Sequence, residues 1–320
     1  MTGDVGTPLL WAGFTVFILG LLALDLGLLN RRATEPTFGR ALTWSVAWIL
    51  LALAFNAWIH VRFGPRVGME FLTGYLIEKA LSVDNVFVFL VIFNTFAVPA
   101  SLQYRVLFWG VLGAIVMRAI FIGVGAAALH AFHGVIYLFG GILLLTGIKL
   151  LLSQDKEEHP ERNPLFRLFQ KLVRTSPRYE GGRFFTRMDG RRVATPLFAV
   201  LVLIEITDLV FAVDSIPAIF AITDDPFIVF TSNIFAILGL RALYFCVSGF
   251  VARLRFLKVG LALVLIFVAA KMLLSDVYKV PIQASLVVVA GLLAAATIAS
   301  LVVPPKSPSP SAPRARPEPE

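Results

Sequence analysis

The run YLIEKALSVDNVFVFL, beginning at Tyr75, places Glu78, Lys79, Asp84 and Asn85 in a segment otherwise apolar enough for lipid. A second run, EITDLVFAVDSIPAIF, carries Glu205, Asp208, Asp214 and Ser215. The two share a pattern. Glu78-x5-Asp84-Asn85-Val86 aligns with Asp208-x5-Asp214-Ser215-Ile216, and valine precedes the second acid in both. An ionised carboxylate at the centre of a bilayer costs several kcal/mol unless it is paired, protonated or bound to a cation. The acids therefore point to cation or proton chemistry. Glu78, Asp84, Glu205, Asp208 and Asp214 are the candidate metal ligands, supported by Asn85 and Ser215. All of these donors are oxygens, and the chain's histidines (His60, His130, His133 and His159) fall outside both runs. Oxygen donors suit Mg, Ca and Mn, whereas zinc and copper favour imidazole or thiolate. The residue types leave a hard divalent cation and protons both open.

Spacing limits how the acids can meet. Six residues of regular helix turn about 600°, which sets Glu78 and Asp84 about 120° apart and about 9 Å along the axis. They need a broken helix or a neighbouring one to share an ion, and Pro217 suggests a break beyond Asp214. Glu205 and Asp208, three residues apart, share a face. Arg118, deep in an apolar run, Lys79 and Lys271 are the basic residues placed to neutralise one or two of these acids. Lys149, Arg241 and Lys258 are expected to snorkel from helix ends. Asp25, near the end of the first apolar block, could serve structure or function equally. Asn56 and Asn233 suit hydrogen bonding between helices.

These residues need long apolar elements to hold them, and the composition supplies those. Of 320 residues 58% are hydrophobic and 15% charged, against about a quarter charged in soluble domains. Windows of about twenty residues predict helices over 9–29, 41–60, 69–93, 104–128, 130–152, 196–222, 227–247, 256–275 and 282–303. The fold class is therefore all-α, a polytopic membrane protein of about nine transmembrane helices. The first block, from near Leu9, lacks a basic n-region and a cleavage site, and reads as a span rather than a signal peptide. The net charge of +8 resides in connecting loops, where the positive-inside rule places it, so nucleic-acid binding is not expected. The lone Cys246 excludes an intrachain disulfide.

The basic segment 153–195 is expected in the cytoplasm. It separates an N-terminal membrane half, 1–152, from a C-terminal half, 196–303, and a Pro-rich tail follows at 304–320. Counting spans from that loop puts the N-terminus outside and the C-terminus inside. The third and sixth spans then run in opposite directions, so the two acid motifs are antiparallel. That is the signature of an inverted repeat relating spans 3–5 to spans 6–8, an arrangement that sets substrate sites near the midplane.

The strings EKALSVDNVFVF and EITDLVFAVDSIPAIFAIT resemble the TerC family of bacterial and plastid integral membrane proteins, named for tellurite resistance. LDLG, FWGVLGAIVMRAIFI and TSNIFAILGLRALYF extend the resemblance over nearly the whole chain outside the loop after Ser153 and the tail. Bacterial members include manganese exporters. The resemblance implies divalent-metal efflux, with Glu78, Asp84, Glu205, Asp208 and Asp214 as ligands.

The expected function is export of a divalent cation, Mn²⁺ foremost, through this intramembrane site and coupled to inward protons. The alternative is a membrane scaffold that assists assembly or metal loading of secreted and membrane proteins. No enzymatic motif and no resident cofactor is expected. The expected partners are the lipid bilayer, the transported metal ion and protons.

Overall fold

A computed structural model describes residues 5–29, 38–132, 134–152, 173, 175–176, 178–188, 191–247, 256–278 and 280–302. Most of the loop after 152 and the tail from 304 lie outside these residues, as do the side chains of Asp25 and Asp84. Each apolar window is helical over most of its described length. The helices are α1 (Pro8–Leu29), α2 (Phe38–Phe63), α3 (Pro65–Thr95), α4 (Ala100–Ala131) and α5 (Val135–Leu152). After the loop come α6 (Pro196–Phe220), α7 (Pro226–Leu238), α8 (Leu240–Val247), α9 (Leu257–Leu273) and α10 (Ile282–Val302).

Helices α2, α4, α5, α6, α10 and the pair α7–α8 are long and apolar enough to cross a membrane. Their outward side chains fit that setting, since Val16, Leu50, Val124, Leu145, Val287 and Leu301 are all exposed. In water so much exposed apolar surface would drive association. Helix α3 differs because every eighteen-residue window of it holds at least three of Arg66, Glu70, Glu78, Lys79 and Asp84. It can cross lipid only inside a jacket of other helices.

That jacket exists. α3 packs against α2, α6, α7 and α10, while α6 packs against α4, and α5 lies along α9. The contacts of α3 with α6 and α7, of α6 with α4 and of α5 with α9 map onto themselves when α3 is exchanged with α6, α4 with α7–α8, and α5 with α9, whereas α2 and α10 pack on α3 alone of the two central helices. α3 and α6 run antiparallel, as three contacts along them show. Thr223, just past the end of α6, donates to Glu70 at 2.8 Å. A Cβ at Gly74 would lie 3.1 Å from Ile219. Asn85 donates to Asp208 at 3.4 Å. Moving forward along α3 therefore moves backward along α6.

The chain joining the halves is not all irregular. β1 (Phe185–Met188) and β2 (Arg191–Ala194) form an antiparallel hairpin, an exception to the all-α expectation. Polar backbone at a helix-bundle surface must find partners, and here it does. Tyr179 donates to Phe96 O at the end of α3 (2.7 Å), and Thr195 donates to Arg183 O (2.7 Å) just before α6.

Two local expectations change. Pro217 does not break its helix, because α6 continues to Phe220. The proline sits in the last turn, where its missing N–H costs only one late hydrogen bond. The break falls in the seventh span instead, at Gly239 between α7 and α8. The sequence explains this. AIVMRAI at Ala114–Ile120 matches AILGLRAL at Ala236–Leu243 with one inserted residue. One residue turns a helix by about 100°, so the insertion must be absorbed by a break to keep both flanks in register. Lys79 donates to Ala236 O at 3.3 Å beside that break, satisfying a carbonyl near the end of α7 as basic side chains do at helix C-termini.

Candidate cation site

The site is built from four helices. From α3 come Glu78, Ser82 and Asn85, and from α6 come Glu205, Asp208 and Ser215. Arg118 comes from α4 and Asn233 from α7. Glu78, Ser82 and Asn85 lie four and three residues apart on one face of α3, and Asp208 and Ser215 lie two turns apart on α6. All of these except Glu205 are buried, and Arg118, Glu78, Ser82 and Asn233 are fully so.

Arg118 is the hub. Its Nε and Nη2 donate to the two oxygens of Asp208 at 3.3 and 3.1 Å. Its Nη1 forms an ion pair with Glu78 and donates to Ser215 Oγ at 3.3 Å and Asn233 Oδ1 at 3.0 Å. Asn233 in turn donates from Nδ2 to Glu78 Oε2 at 3.2 Å. Glu78 and Asp208 are equivalent positions of the two motifs, as are Asn85 and Ser215. Each acid thus lies near the amide or hydroxyl of the other motif.

The network is incompletely satisfied. Asn85 Oδ1, Ser82 Oγ and Glu205 Oε2 are buried without a hydrogen-bond partner. Buried polar atoms in that condition are uncommon and costly. The Glu205 carboxylate lies against Gly113 of α4, where a Cβ would come within 2.6 Å of Oε2. A small cleft lined by Phe89, Gly110, Val111, Ala114 and Ile204 opens at Asp208.

The structure brings together only part of the predicted constellation. Glu78 and Asp208 converge with Asn85, Ser215, Asn233 and Arg118. Glu205 lies along the same α4–α6 interface, sharing the α4-facing side with Asp208 as its spacing requires. Asp214 is held apart by Thr146 of α5, which donates to it at 2.8 Å. Lys79, next to Glu78 in sequence, serves the α7 break instead. Arg241 does not snorkel. It is buried at 5% exposure, with its guanidinium 5.0 Å from the Tyr104 ring and 5.2 Å from the Phe108 ring. Among the described residues no three of His, Cys, Asp and Glu stand in metal-holding geometry. Sequence reasoning missed Gly113 and Thr146, which carry no signal beyond being small residues in apolar helices. It also missed the repeated Arg-Ala of Arg118 and Arg241, which a comparison of α4 with α7–α8 reveals.

Comparison with known proteins places this architecture. A sequence model described as "Integral membrane protein TerC family" matches residues 63–307. The "Uncharacterized membrane protein STKORF319" of Myxococcus xanthus is 54% identical over 299 residues, covering 93% of this chain and 94% of that protein. The "Putative membrane-bound redox modulator Alx" of Escherichia coli K12 is 50% identical over 298 residues, covering 90% and 93%. An "Uncharacterized membrane protein" of Rickettsia felis is 41% identical over 292 residues, covering 91% and 97%. No solved structure matches the chain. With its helices, its paired acid motifs and most of its length matched, this chain is a multi-pass integral membrane protein of the TerC family.

Proposed function

We propose that the protein exports a divalent metal cation, Mn²⁺ foremost, across the plasma membrane in exchange for protons. In this reading it has nine spans, an external N-terminus and a cytoplasmic C-terminus. The observation that carries it is the convergence of Glu78 and Asp208, from antiparallel helices, in a buried site with a single guanidinium between them. Together with Glu205 the acids outnumber Arg118, and a site with surplus buried acid takes up a cation or protons. The oxygen donors nearby favour a hard ion. Asn85 Oδ1 and Ser82 Oγ, both without partners, are further ligands in waiting. Asp214, held by Thr146 of α5, serves the path beside the site, and the matching packing of α3 on α7 and of α6 on α4 suits an inverted repeat that alternates access.

Assembly support is the second reading. It is favoured by the hairpin, where Phe185 and Met188 are exposed beside Arg187, Arg191 and Arg192. Thiol exchange within one chain is not available to either reading, because Cys246 has no second cysteine.

Metal binding is the direct test. Free hexaaqua Mn²⁺ gives a strong EPR signal that falls when the ion is bound. Purified wild type should remove Mn²⁺ from that signal, and the double variant Glu78→Gln, Asp208→Asn should not. A wild type that leaves the signal at its buffer level contradicts the reading.

A further inference from the structure

We propose that Arg118 is a tethered substitute cation, occupying the site together with the exchanged protons whenever the metal is absent so that the metal-free carrier can return. This rests on the transport reading and names the residue that resets it. The geometry makes guanidinium and metal mutually exclusive. Arg118 takes one oxygen of Glu78 and both oxygens of Asp208, so an ion held by those two carboxylates has to displace it. An arginine serving packing alone would need one acid. This one joins the equivalent acids of both motif helices and takes acceptors from α6 and α7 as well.

Displacement has a destination. Glu205 lies on α6 one turn before Asp208, its Oε2 is buried without a partner, and it packs against Gly113 on the helix that carries Arg118. A guanidinium leaving Asp208 along the α4–α6 interface meets that carboxylate next. The loaded site would then hold the metal on Glu78 and Asp208, with Arg118 on Glu205. Once the metal leaves, Arg118 swings back and neutralises one acid of the pair, while protons taken in exchange neutralise the other and Glu205. Without it, the acid that the guanidinium balances would have to cross a low-dielectric core bare, which is strongly unfavourable.

The distinguishing experiment separates net flux from exchange in liposomes. Net efflux of radioactive Mn²⁺ into a metal-free compartment needs the empty site to return. Exchange, with Mn²⁺ on both sides, does not. Arg118→Gln should lose net efflux by about tenfold or more, a barrier change of the size one buried charge supplies, while exchange persists. Arg118→Lys, which keeps the charge, should restore part of the net flux. If Arg118→Gln loses both modes together or keeps both, the role of Arg118 is overturned while wild-type flux upholds transport. If wild type moves metal in neither mode, the transport reading falls and the proposal with it. A measurement on wild type covers a variant that fails to fold. Adding Mn²⁺ should produce infrared difference bands that shift on ¹⁵N-arginine labelling, reporting a guanidinium that changes partners. Their absence overturns the proposal.

Discussion

Glu78 of α3 and Asp208 of α6 accept from the same guanidinium, that of Arg118, although 130 positions of sequence separate them. They are the leading acids of the two motifs, so the motif that occurs twice in the sequence meets itself in space. Asn85 completes the relation by donating to Asp208, while Ser215 shares Arg118 Nη1 with Glu78. Removing one partner of a buried ion pair strands the other, typically at about 3–5 kcal/mol. Any probe of this centre has to separate lost charge from lost structure.

Asp208→Asn makes that separation. The amide keeps the shape and one acceptor for Arg118 but removes the charge. Metal flux should fall by about tenfold or more, with the protein still extracted as a folded monodisperse species. Normal flux would make Asp208 a structural residue.

Gly113→Ala tests the room reserved for Glu205. The added Cβ would meet the Glu205 carboxylate within 2.6 Å of Oε2, forcing it away. Alanine improves helix propensity by about 1 kcal/mol, so a flux defect here cannot be blamed on a weaker helix. Gly123→Ala on the same helix meets nothing within 4 Å and should transport normally. Equal behaviour of the two variants would contradict the packing role of Gly113.

Lys79 supports the break between α7 and α8. Lys79→Met removes the donor to Ala236 O and should lower stability by about 1–2 kcal/mol, the cost of stranding one buried acceptor. It should leave Mn²⁺ affinity unchanged. A large loss of affinity with unchanged thermal stability would place Lys79 in the site instead.

Orientation is open to labelling. A tag inserted near Arg178 and one at Glu320 should both resist an impermeant reagent added to intact cells, and both should react after permeabilisation. External reaction of either tag would overturn the proposed sidedness and the pairing of halves built on it.

Much of this organisation was legible because lipid imposes strong rules. Long apolar windows give the helices, and acids inside them stand out against that background. Glu78 and Asp208 were recognisable as partners because the motif occurs twice, and Arg118 because it lies too deep to snorkel. What stayed hidden depends on tertiary placement. Asp214 shares a motif with Asp208, yet six residues of α6 turn it about 600° onto another face, where it pairs with Thr146 of α5. Arg241 looks like a helix-end cation until α8 folds it over Tyr104 and Phe108. Pro217 signals a break by its chemistry, but one late turn can absorb it, and the inserted Gly239 takes the break instead. The hairpin was obscured by the basic character of its loop, which says which side it occupies but little about its strands.

The central claim is that the buried acids carry a metal ion across the membrane. Radioactive Mn²⁺ flux should be measured in liposomes containing only this protein, beside empty vesicles and vesicles holding Glu78→Gln. Wild type should show uptake well above empty vesicles, saturating with Mn²⁺ and abolished in Glu78→Gln. Wild-type flux equal to that of empty vesicles, from folded and correctly inserted protein, would contradict it.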